Sequence, residues 1–327
     1  AWPTAGGAQS PSPSGEALPL VAITQIVDHP SLNAIRQGVQ DEIKAAGLAV
    51  RYEVESAQGQ PAIAQQIAEK FVGLKPAVIV AIATPSAQAA ANVAEGKIPL
   101  VFGSITDPVA AKLVPDLHTP VKNLTGTTDS IPLAEQLAVL REALPSLKRL
   151  GTVYNPGDAN AAASVAKLKT VAAGANIELV EAPATKSSEV AEATAALAGR
   201  ADAIFLVLDN TAVSALEALL QAAEEQKLPV FSADVDSVKR GTVLSLGFDY
   251  YDVGRSTGAQ VVKILRGTAP EAIPVQTVEK FRLVVNPAAA KRFGLPASGC
   301  GIASNRAASS SPRSEYAPAV FYWLAKR

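Results

Sequence analysis

Short runs of aliphatic and β-branched residues alternate with longer segments of helical periodicity from residue 20 onward. Residues 21–26 form the first apolar run. The segment after it carries apolar side chains three or four positions apart, at Leu32, Ile35, Val39 and Ile43. Gly47 follows where a helix commonly ends, and residues 50–54 form the next strand-like run. Alternation of this kind is typical of βαβ units and predicts an α/β fold with parallel sheets.

The same unit occurs a second time further along the chain. Residues 150–154 are strand-like, residues 160–173 are helical and residues 177–181 are strand-like again, so Gly174 takes the place that Gly47 has in the first unit. The later strands repeat as well, with residues 76–84 and 97–102 corresponding to residues 203–209 and 227–231. These internal repeats predict two similar, doubly wound parallel-sheet lobes.

Two similar open sheets in one chain predict a cleft between them, because ligands bind outside the carboxyl ends of parallel strands. Polar residues follow these strand ends in both halves. In the first half they are Gln25, Asp28, His29, Thr84, Ser86, Ser104, Thr106 and Asp107. In the second half they are Asn155, Asp158, Asn160, Asp209, Asn210, Thr211, Asp234 and Asp236. Each residue alone is equally typical of a helix N-cap, so the hypothesis of a ligand site rests on the whole set.

Composition and charge narrow the classes of partner. Hydrophobic residues make up 48% of the chain and charged residues 18%, as expected for buried strands flanked by alanine-rich helices. With Lys+Arg at 29 and Asp+Glu at 30, the net charge is −1, which argues against nucleic acid as a partner. The apolar runs are of strand length, far short of a membrane span. Cys300 is the only cysteine, so neither an internal disulfide nor a cysteine-based metal site is expected.

The beginning of the sequence indicates an export-compatible tether. Residues 1–19 are rich in proline, serine and glycine, a composition that does not bury enough apolar surface to order itself. The sequence starts at Ala1 and contains no methionine, which is compatible with the removal of a signal peptide.

Enzymatic readings fit the sequence poorly. Residues 254–258, GRSTG, match the pattern of a nucleophilic serine, but both histidines, His29 and His118, precede it. The same segment predicts a helix with a buried stripe at Val253, Ala259, Val262 and Leu265. A carboxylate-only metal site at Asp234 and Asp236 competes with helix capping. No Walker or dinucleotide glycine pattern is present, and we expect a non-enzymatic protein without cofactor or metal.

Five segments of the sequence resemble the TrpX-like family of ABC transporter substrate-binding proteins. They are ITQIVDHP at residues 23–30, ATPS at 83–86, FGSITDPV at 102–109, LGFDYYDVG at 246–254 and FRLVVN at 281–286. The resemblance runs from about residue 20 to about residue 295. It implies the type I periplasmic-binding fold, in which three crossovers connect the lobes; we place them near residues 126–130, 247–251 and 274–279.

The resemblance also implies a domain division. We expect a first lobe made of residues 20–127 with 250–274 and a second lobe made of residues 128–248 with 277–296. Residues near the crossovers, Thr127, Asp129 and Tyr250, complete the candidate ligand-binding set. After Leu295 the sequence departs from the family pattern, so residues 297–327 are expected to form an atypical tail and the closing helix of the second lobe is in doubt.

As a function, the resemblance implies an extracytoplasmic solute receptor that works with an ABC permease, as a monomer, on small or aromatic amino acids. A zwitterion needs donors for its carboxylate, which Thr84, Ser86, Ser104 and Thr106 offer, and an acceptor for its ammonium, which Asp209 or Asp234 offers. The lobes are expected to close on the ligand by bending at the crossovers.

Two other functions stay open on the sequence alone. A sugar receptor usually stacks aromatic rings on its ligand, and Trp2 and Trp323 lie outside the lobes, although Phe102, Tyr154, Tyr250 and Tyr251 remain. The sensing domain of a transcriptional regulator needs a helix-turn-helix before the first strand, and residues 1–19 are unsuited to form one.

Overall fold

The computed structural model describes residues 17–130, 133–278 and 280–295, and the backbone of Ala319–Trp323. The strands are β1 (Leu20–Gln25), β2 (Arg51–Ser56), β3 (Val78–Ile82), β4 (Leu100–Gly103), β5 (Leu124–Thr128), β6 (Arg149–Tyr154), β7 (Glu178–Pro183), β8 (Ala203–Leu206), β9 (Val230–Ser232), β10 (Leu244–Gly247), β11 (Gln276–Thr277), β12 (Phe281–Val285) and β13 (Ala319–Trp323). The helices are α1 (Pro30–Ala45), α2 (Pro61–Leu74), α3 (Thr84–Ala94), α4 (Leu133–Ala143), α5 (Ala159–Gly174), α6 (Val190–Ala195), α7 (Asn210–Ser214), α8 (Leu216–Glu225), α9 (Asp236–Arg240), α10 (Tyr250–Leu265) and α11 (Pro287–Arg292).

The first sheet is parallel, with the described strands in the order β11-β5-β4-β3-β1-β2. Strand β3 reads VIVAI and is buried at every position, as expected for a central strand covered by helices on both faces. Helices α1 and α10 cover one face of this sheet, and together with α2 and α3 they enclose one continuous apolar core. We call this sheet with α1, α2, α3 and α10 the first lobe.

The second lobe comprises the other described strands and helices. Strands β7-β6-β8-β9 are parallel, and β10-β12-β13 continue alongside them, since the Val243 amide donates to the Val230 carbonyl at 2.7 Å. Successive residues of β8 point to opposite faces: Phe205 belongs to one core cluster and Ile204 to the other. Strands β10, β12 and β13 pair in antiparallel fashion, so this sheet is mixed rather than wholly parallel.

The strand orders show that the lobes repeat one topology. From the edge inward the first sheet runs β2-β1-β3-β4-β5, and the second runs β7-β6-β8-β9-β10. The repeat is less strict at the helix ends: Gly47 follows α1 in a left-handed conformation, with φ 73°, whereas Gly174 is the last residue of α5 and Asn176 takes the left-handed position, with φ 57°. The expected α/β fold of two doubly wound lobes is confirmed.

Helix α10 crosses α1 at backbone contact. A Cβ atom added to Gly254 would lie 2.2 Å from the Ile35 carbonyl oxygen, and one added to Gly38 would lie 2.4 Å from the Tyr251 carbonyl oxygen. Side chains at these positions would force the helices apart. The GRSTG segment thus lies within a helix, as predicted, and its two glycines pack against α1. Of the predicted buried stripe, Val253 and Val262 are buried, whereas Ala259 and Leu265 are only partly buried.

The chain passes between the lobes three times in the described regions. It leaves the first lobe after β5, returns between β10 and α10, and leaves again between β11 and β12. At the end of the second lobe α11 is a short helix capped by the Asn286 side chain, and β13 pairs with β12 through its backbone. The rest of the predicted tail, residues 297–318 and 324–327, lies outside the described residues, as does the predicted tether up to residue 16.

Candidate functional site

A cleft with a volume of about 400 Å³ lies between the carboxyl ends of the strands of the two lobes. Residues from both lobes line it. The first lobe and the first two crossovers contribute His29, Ser31, Leu32, Ala83, Thr84, Ser104, Thr106, Asp129 and Tyr250, and the second lobe contributes Asn160, Leu208, Asp209, Asn210, Val213 and Asp234. Ten of the predicted site residues are therefore brought together.

Two residues of the first lobe reach the cleft through left-handed backbone. Ala83, between β3 and α3, has φ 71°, and Ser104, after β4, has φ 59°. Neither is glycine, so each conformation is uncommon and costs about 1 to 3 kcal/mol. Backbone strain of this kind gathers at ligand sites. The φ angle of Ala83 directs the start of α3, with Thr84, toward the cleft.

Asp129 lies at the first crossover, beneath three hydroxyl groups. The Ser104 hydroxyl donates to one carboxylate oxygen, which also accepts from the Tyr250 hydroxyl at 3.4 Å, and the Thr106 hydroxyl donates to the other at 2.9 Å. Burial raises the pKa of this carboxyl, and the hydroxyl donors oppose that rise. Tyr250 begins α10, so the cluster joins the first and second crossovers.

Asp209 caps helix α7 at the end of β8. Its carboxylate accepts from the Ala212 amide at 2.6 Å and from the Asn155 amide at 2.7 Å. Burial raises the pKa of Asp209 to about 6, and the neighbouring Asp158 carboxylate adds to the rise. Capping and exposure to the cleft therefore coexist at this residue.

Asp234 connects the lobes. It accepts from the Ser237 amide at 2.9 Å at the start of α9, and from the Ser31 hydroxyl of α1 at 3.1 Å. Ser31 belongs to the first lobe and Asp234 to the second, so this bond crosses the cleft. At the rim a second contact crosses it, an ion pair between Asp107 and Lys167.

His29 is held as a neutral imidazole. Burial lowers its pKa to about 4, and a hydrogen bond with the Asn210 side chain partly opposes that shift. The Asn210 amide nitrogen donates to Asp158 Oδ2 at 3.1 Å, which leaves the Asn210 carbonyl oxygen to accept from His29. Two helix starts, those of α1 and α7, are joined by this contact.

Two buried polar atoms at the cleft have no hydrogen-bond partner among the described residues: His29 Nδ1 and Asn160 Oδ1. The Asn160 amide nitrogen donates to the Leu208 carbonyl at 2.7 Å, so its oxygen is oriented as a free acceptor. Buried polar groups are nearly always hydrogen-bonded, and unpaired ones at a cleft indicate a missing ligand or water.

The cleft is acidic. Asp129, Asp209 and Asp234 line it, and among the described residues that line it there is neither lysine nor arginine. Buried carboxylates without a cationic partner are unfavourable, so the arrangement favours a ligand that carries a positive group.

Nine residues of the candidate set lie outside the cleft lining, and four of them are Asp28, Asp158, Thr211 and Asp236. Gln25 is turned into the first lobe, where its amide donates to Asp28 and Asn33 at 2.8 Å, and Ser86 is buried in the first turn of α3. Thr127 faces α10, accepting from Gln260 at 3.1 Å. Asn155 supports Asp209 through its amide. Asp107 pairs with Lys167 beside an adjoining cavity of about 450 Å³.

Sequence reasoning missed the other lining residues, which are Ser31, Leu32, Ala83, Leu208 and Val213. Leu32 and Val213 lie three residues after His29 and Asn210, so each lies on the same side of its helix as a predicted residue at the helix start. This helical spacing was the signal that would have found them.

Neither a metal centre nor a membrane span is found in the described parts of the chain. No group of three or more His, Cys, Asp or Glu side chains there is arranged to hold a metal ion. Among the same residues, no helix has the length and apolar character needed to cross a membrane.

Proteins of known ligand are similar to this chain in sequence and in structure. A tyrosine-binding protein of Clostridioides difficile is 34% identical over 270 residues, covering 81% of this chain and 78% of its own. A domain from Streptococcus pneumonia, solved in complex with L-Trp, is 27% identical with a TM-score of 0.83 and covers 86% of this chain and 96% of its own.

A third protein was solved in a ligand-free, open form: a substrate-binding protein with adhesive properties from Clostridium difficile. It is 33% identical with a TM-score of 0.64, covering 85% of this chain and 95% of its own. The sequence model described as "ABC transporter substrate binding protein" matches residues 20–299. The expected resemblance is confirmed, and the chain belongs to the family of ABC transporter substrate-binding proteins.

Proposed function

We propose that this chain captures an aromatic amino acid, of the tyrosine or tryptophan kind, in the cleft between its lobes and delivers it to the permease of an ABC importer. The observation that carries the amino-acid part is the acidic cleft, whose described lining contains three aspartates and neither lysine nor arginine. An ammonium group on the ligand would offset this charge, because buried carboxylates need a cationic partner. The tyrosine-binding and L-Trp-bound relatives support the same class of ligand.

The ammonium is best received by Asp209 or Asp234. Both lie in the second lobe, both are almost fully buried, and both hold their carboxylates with backbone amides at helix starts. Asp129 accepts from three hydroxyl groups, whereas Asp234 accepts from two, those of Ser31 and Ser237, in addition to its helix-start amide. A fixed carboxylate is preorganised for a cation, which reduces the ordering needed on binding.

The ligand carboxylate fits the first lobe. Helix α3 starts at Thr84, and the first-turn amides of a helix have no intrahelical partner, so they bind anions. The hydroxyls of Thr84, Ser104 and Thr106 line the cleft and donate readily. Leu32, Leu208, Val213 and the Tyr250 ring supply apolar surface for a side chain.

The lobes close on the ligand as near-rigid bodies. Two contacts that cross the cleft, Ser31 with Asp234 and Asp107 with Lys167, require the lobes to be close together. The TM-score is higher with the L-Trp complex, 0.83, than with the ligand-free, open protein, 0.64, despite the lower sequence identity of the former. Both observations support a closed arrangement that a ligand would favour by contacting both lobes.

The remaining parts of the proposal are the domain division, the location and the assembly state. The separate core regions support a division close to the expected one, residues 20–127 with 250–274 and residues 128–248 with 277–296. The boundary differs at β11, since Gln276–Thr277 pair with β5 in the first sheet. Membership in the binding-protein family supports an extracytoplasmic, non-enzymatic receptor, and we expect it to act as a monomer with its permease.

Calorimetry on ligand-stripped protein tests the proposal. The chain is unfolded, dialysed, refolded and titrated with tyrosine, tryptophan, phenylalanine, a small amino acid and a panel of sugars. Heat and thermal stabilisation with an aromatic amino acid, and none with sugars, support it. Binding of a sugar with no response to any amino acid would overturn it in favour of the sugar receptor that the fold also allows.

A further inference from the structure

His29 is locked in one orientation by a chain of hydrogen bonds. Asp158 accepts from the Asn210 amide nitrogen at 3.1 Å, and the Asn210 carbonyl oxygen faces His29. The proton of the neutral imidazole therefore lies on Nε2, where it is donated to Asn210. Nδ1 is left with a lone pair, so it is an acceptor.

This acceptor is buried and unpaired. His29 is 8% exposed, and its Nδ1 atom has no hydrogen-bond partner among the described residues. Leaving such an atom unsatisfied is unfavourable, which makes a donor on the ligand the natural partner. His29 lines the cleft, so a bound ligand can reach it.

The surroundings of His29 indicate which part of the ligand that donor belongs to. Leu32 lies one helical turn after His29, and Val213 lies one turn after Asn210. Two apolar side chains therefore flank the pair formed by His29 and Asn210 at the cleft. An ammonium group bonds more strongly to a carboxylate than to a neutral nitrogen, and three carboxylates line the same cleft. Of the two unpaired neutral acceptors that the described residues place at the cleft, His29 Nδ1 and Asn160 Oδ1, the former is flanked by Leu32 and Val213 and is therefore left for the ligand side chain.

We infer that the cleft selects an aromatic side chain that carries a hydrogen-bond donor, a phenol or an indole, and that His29 Nδ1 is the acceptor that selects it. This inference rests on the proposed function, since it specifies the side chain of the amino acid. Phenylalanine, which has no donor on its ring, would bury Nδ1 unpaired and is rejected. Sites built to hydrogen-bond a substrate hydroxyl discriminate strongly against the analogue that lacks it.

Titration calorimetry with three ligands tests the selectivity. Ligand-stripped protein is titrated with tyrosine, tryptophan and phenylalanine under identical conditions. We expect the better of tyrosine and tryptophan to bind at least about a hundredfold more tightly than phenylalanine. A ratio below that value overturns the inference, for example because a trapped water satisfies Nδ1 when phenylalanine is bound.

Two variants of His29 separate its two nitrogens. His29→Gln places its amide near Nε2 and keeps the contact with Asn210 but removes the Nδ1 acceptor, whereas His29→Asn places a polar atom near Nδ1. We expect His29→Gln to reduce the selectivity against phenylalanine at least about tenfold and His29→Asn to retain most of it. Equal loss in both variants would show a merely structural role and overturn the assignment.

A matched control is Thr24→Val. The Thr24 hydroxyl is also buried and unpaired among the described residues, but it lies in β1 outside the cleft lining, so this change should leave selectivity unaltered. The outcomes separate the two proposals: equal binding of all three aromatic amino acids refutes the selectivity alone, whereas no binding of any of them refutes the proposed function.

Discussion

The Ser31 hydroxyl donates a hydrogen bond of 3.1 Å to Asp234 Oδ1, although 203 positions separate the two residues and they belong to different lobes. Both side chains are buried, at 3% and 3% exposure. When the lobes part, each group must find another partner or water, so the bond contributes to the closed state alone. Ligand affinity depends on the closed state, and this pair therefore affects affinity.

Replacing Ser31 by alanine should weaken ligand binding about ten- to a hundredfold, the effect of one hydrogen bond to a charged group. Titration calorimetry measures the affinity, and solution scattering should show a larger radius of gyration for the unliganded variant. Ser232→Ala is the control, because the Ser232 hydroxyl bonds only within the second lobe, to the Asp234 carbonyl and Thr242. An equal loss of affinity in both variants would contradict a role for Ser31 in closure.

Neutralising the carboxylate that receives the ammonium should weaken binding by about 2 to 5 kcal/mol. Asp209→Asn and Asp234→Asn are the informative variants, because asparagine keeps one oxygen for the N-cap amide. In Asp209→Asn the new NH2 group replaces the oxygen that accepts from the Asn155 amide, so thermal unfolding of this variant is measured alongside its affinity. Asp116→Asn is the control: this carboxylate also accepts backbone amides, at His118 and Thr119, but far from the cleft. If neither cleft variant changes the affinity, the ammonium is bound elsewhere.

Binding should weaken in acid because Asp209 must be charged to receive an ammonium. Burial raises its pKa to about 6, so at pH 5 most unliganded molecules carry the proton, and binding has to release it. Affinity at pH 5 is then about tenfold lower than at pH 8. Titrations in two buffers of different ionisation enthalpy should detect proton release at pH 5 and none at pH 8. Asp209→Asn should abolish this difference between the two buffers.

His29 should make the unliganded fold less stable in acid. Its pKa is lowered to about 4 in the fold from an ordinary 6.5, so between these values the unfolded chain takes up a proton that the folded chain does not. The contribution to stability is present above pH 6.5 and falls by about 3 kcal/mol as the pH drops to 4. Denaturant unfolding at a series of pH values measures it. His29→Gln and His29→Asn should both remove this dependence, even though they differ in ligand selectivity.

Adding a methyl group at Gly254 should destabilise the first lobe by about 3 kcal/mol, because its Cβ would lie 2.2 Å from the Ile35 carbonyl oxygen. Thermal unfolding of Gly254→Ala measures the loss. Gly73→Ala is the matched control, because Gly73 lies in α2 and a Cβ there meets no atom within 4 Å. The free energy of unfolding of this variant should be unchanged or higher by up to about 1 kcal/mol. Similar destabilisation in both would contradict the role of close packing.

The sequence predicted the fold well because periodicity determines which elements form. Residues 21–26 and 150–154 were expected to be strands, and β1 and β6 occupy Leu20–Gln25 and Arg149–Tyr154. Strand ends in parallel sheets meet at one edge, which is why Thr84 and Asp209 reach a common cleft. Both predictions use backbone direction alone.

The same reasoning does not predict which way an individual side chain points. Thr125 and Thr127 lie two residues apart on β5, so both face Gln260 of α10 rather than the cleft. Ser31 lies in the first turn of α1 and reaches across the cleft only because of how the lobes are placed. Ala83 required φ 71°, a conformation that alanine propensity gives no reason to expect.

The return of the chain to the first lobe determines the order in which the protein can be assembled as it is made. Helix α10 covers α1, and β11 pairs with β5, yet both come after most of the second lobe in the sequence. The first lobe therefore lacks a helix and an edge strand until residue 277 has been synthesised, whereas the continuous segment from α4 to β10 already contains most of its own sheet. The half of the molecule that is translated first therefore cannot finish folding before most of the second lobe has been made.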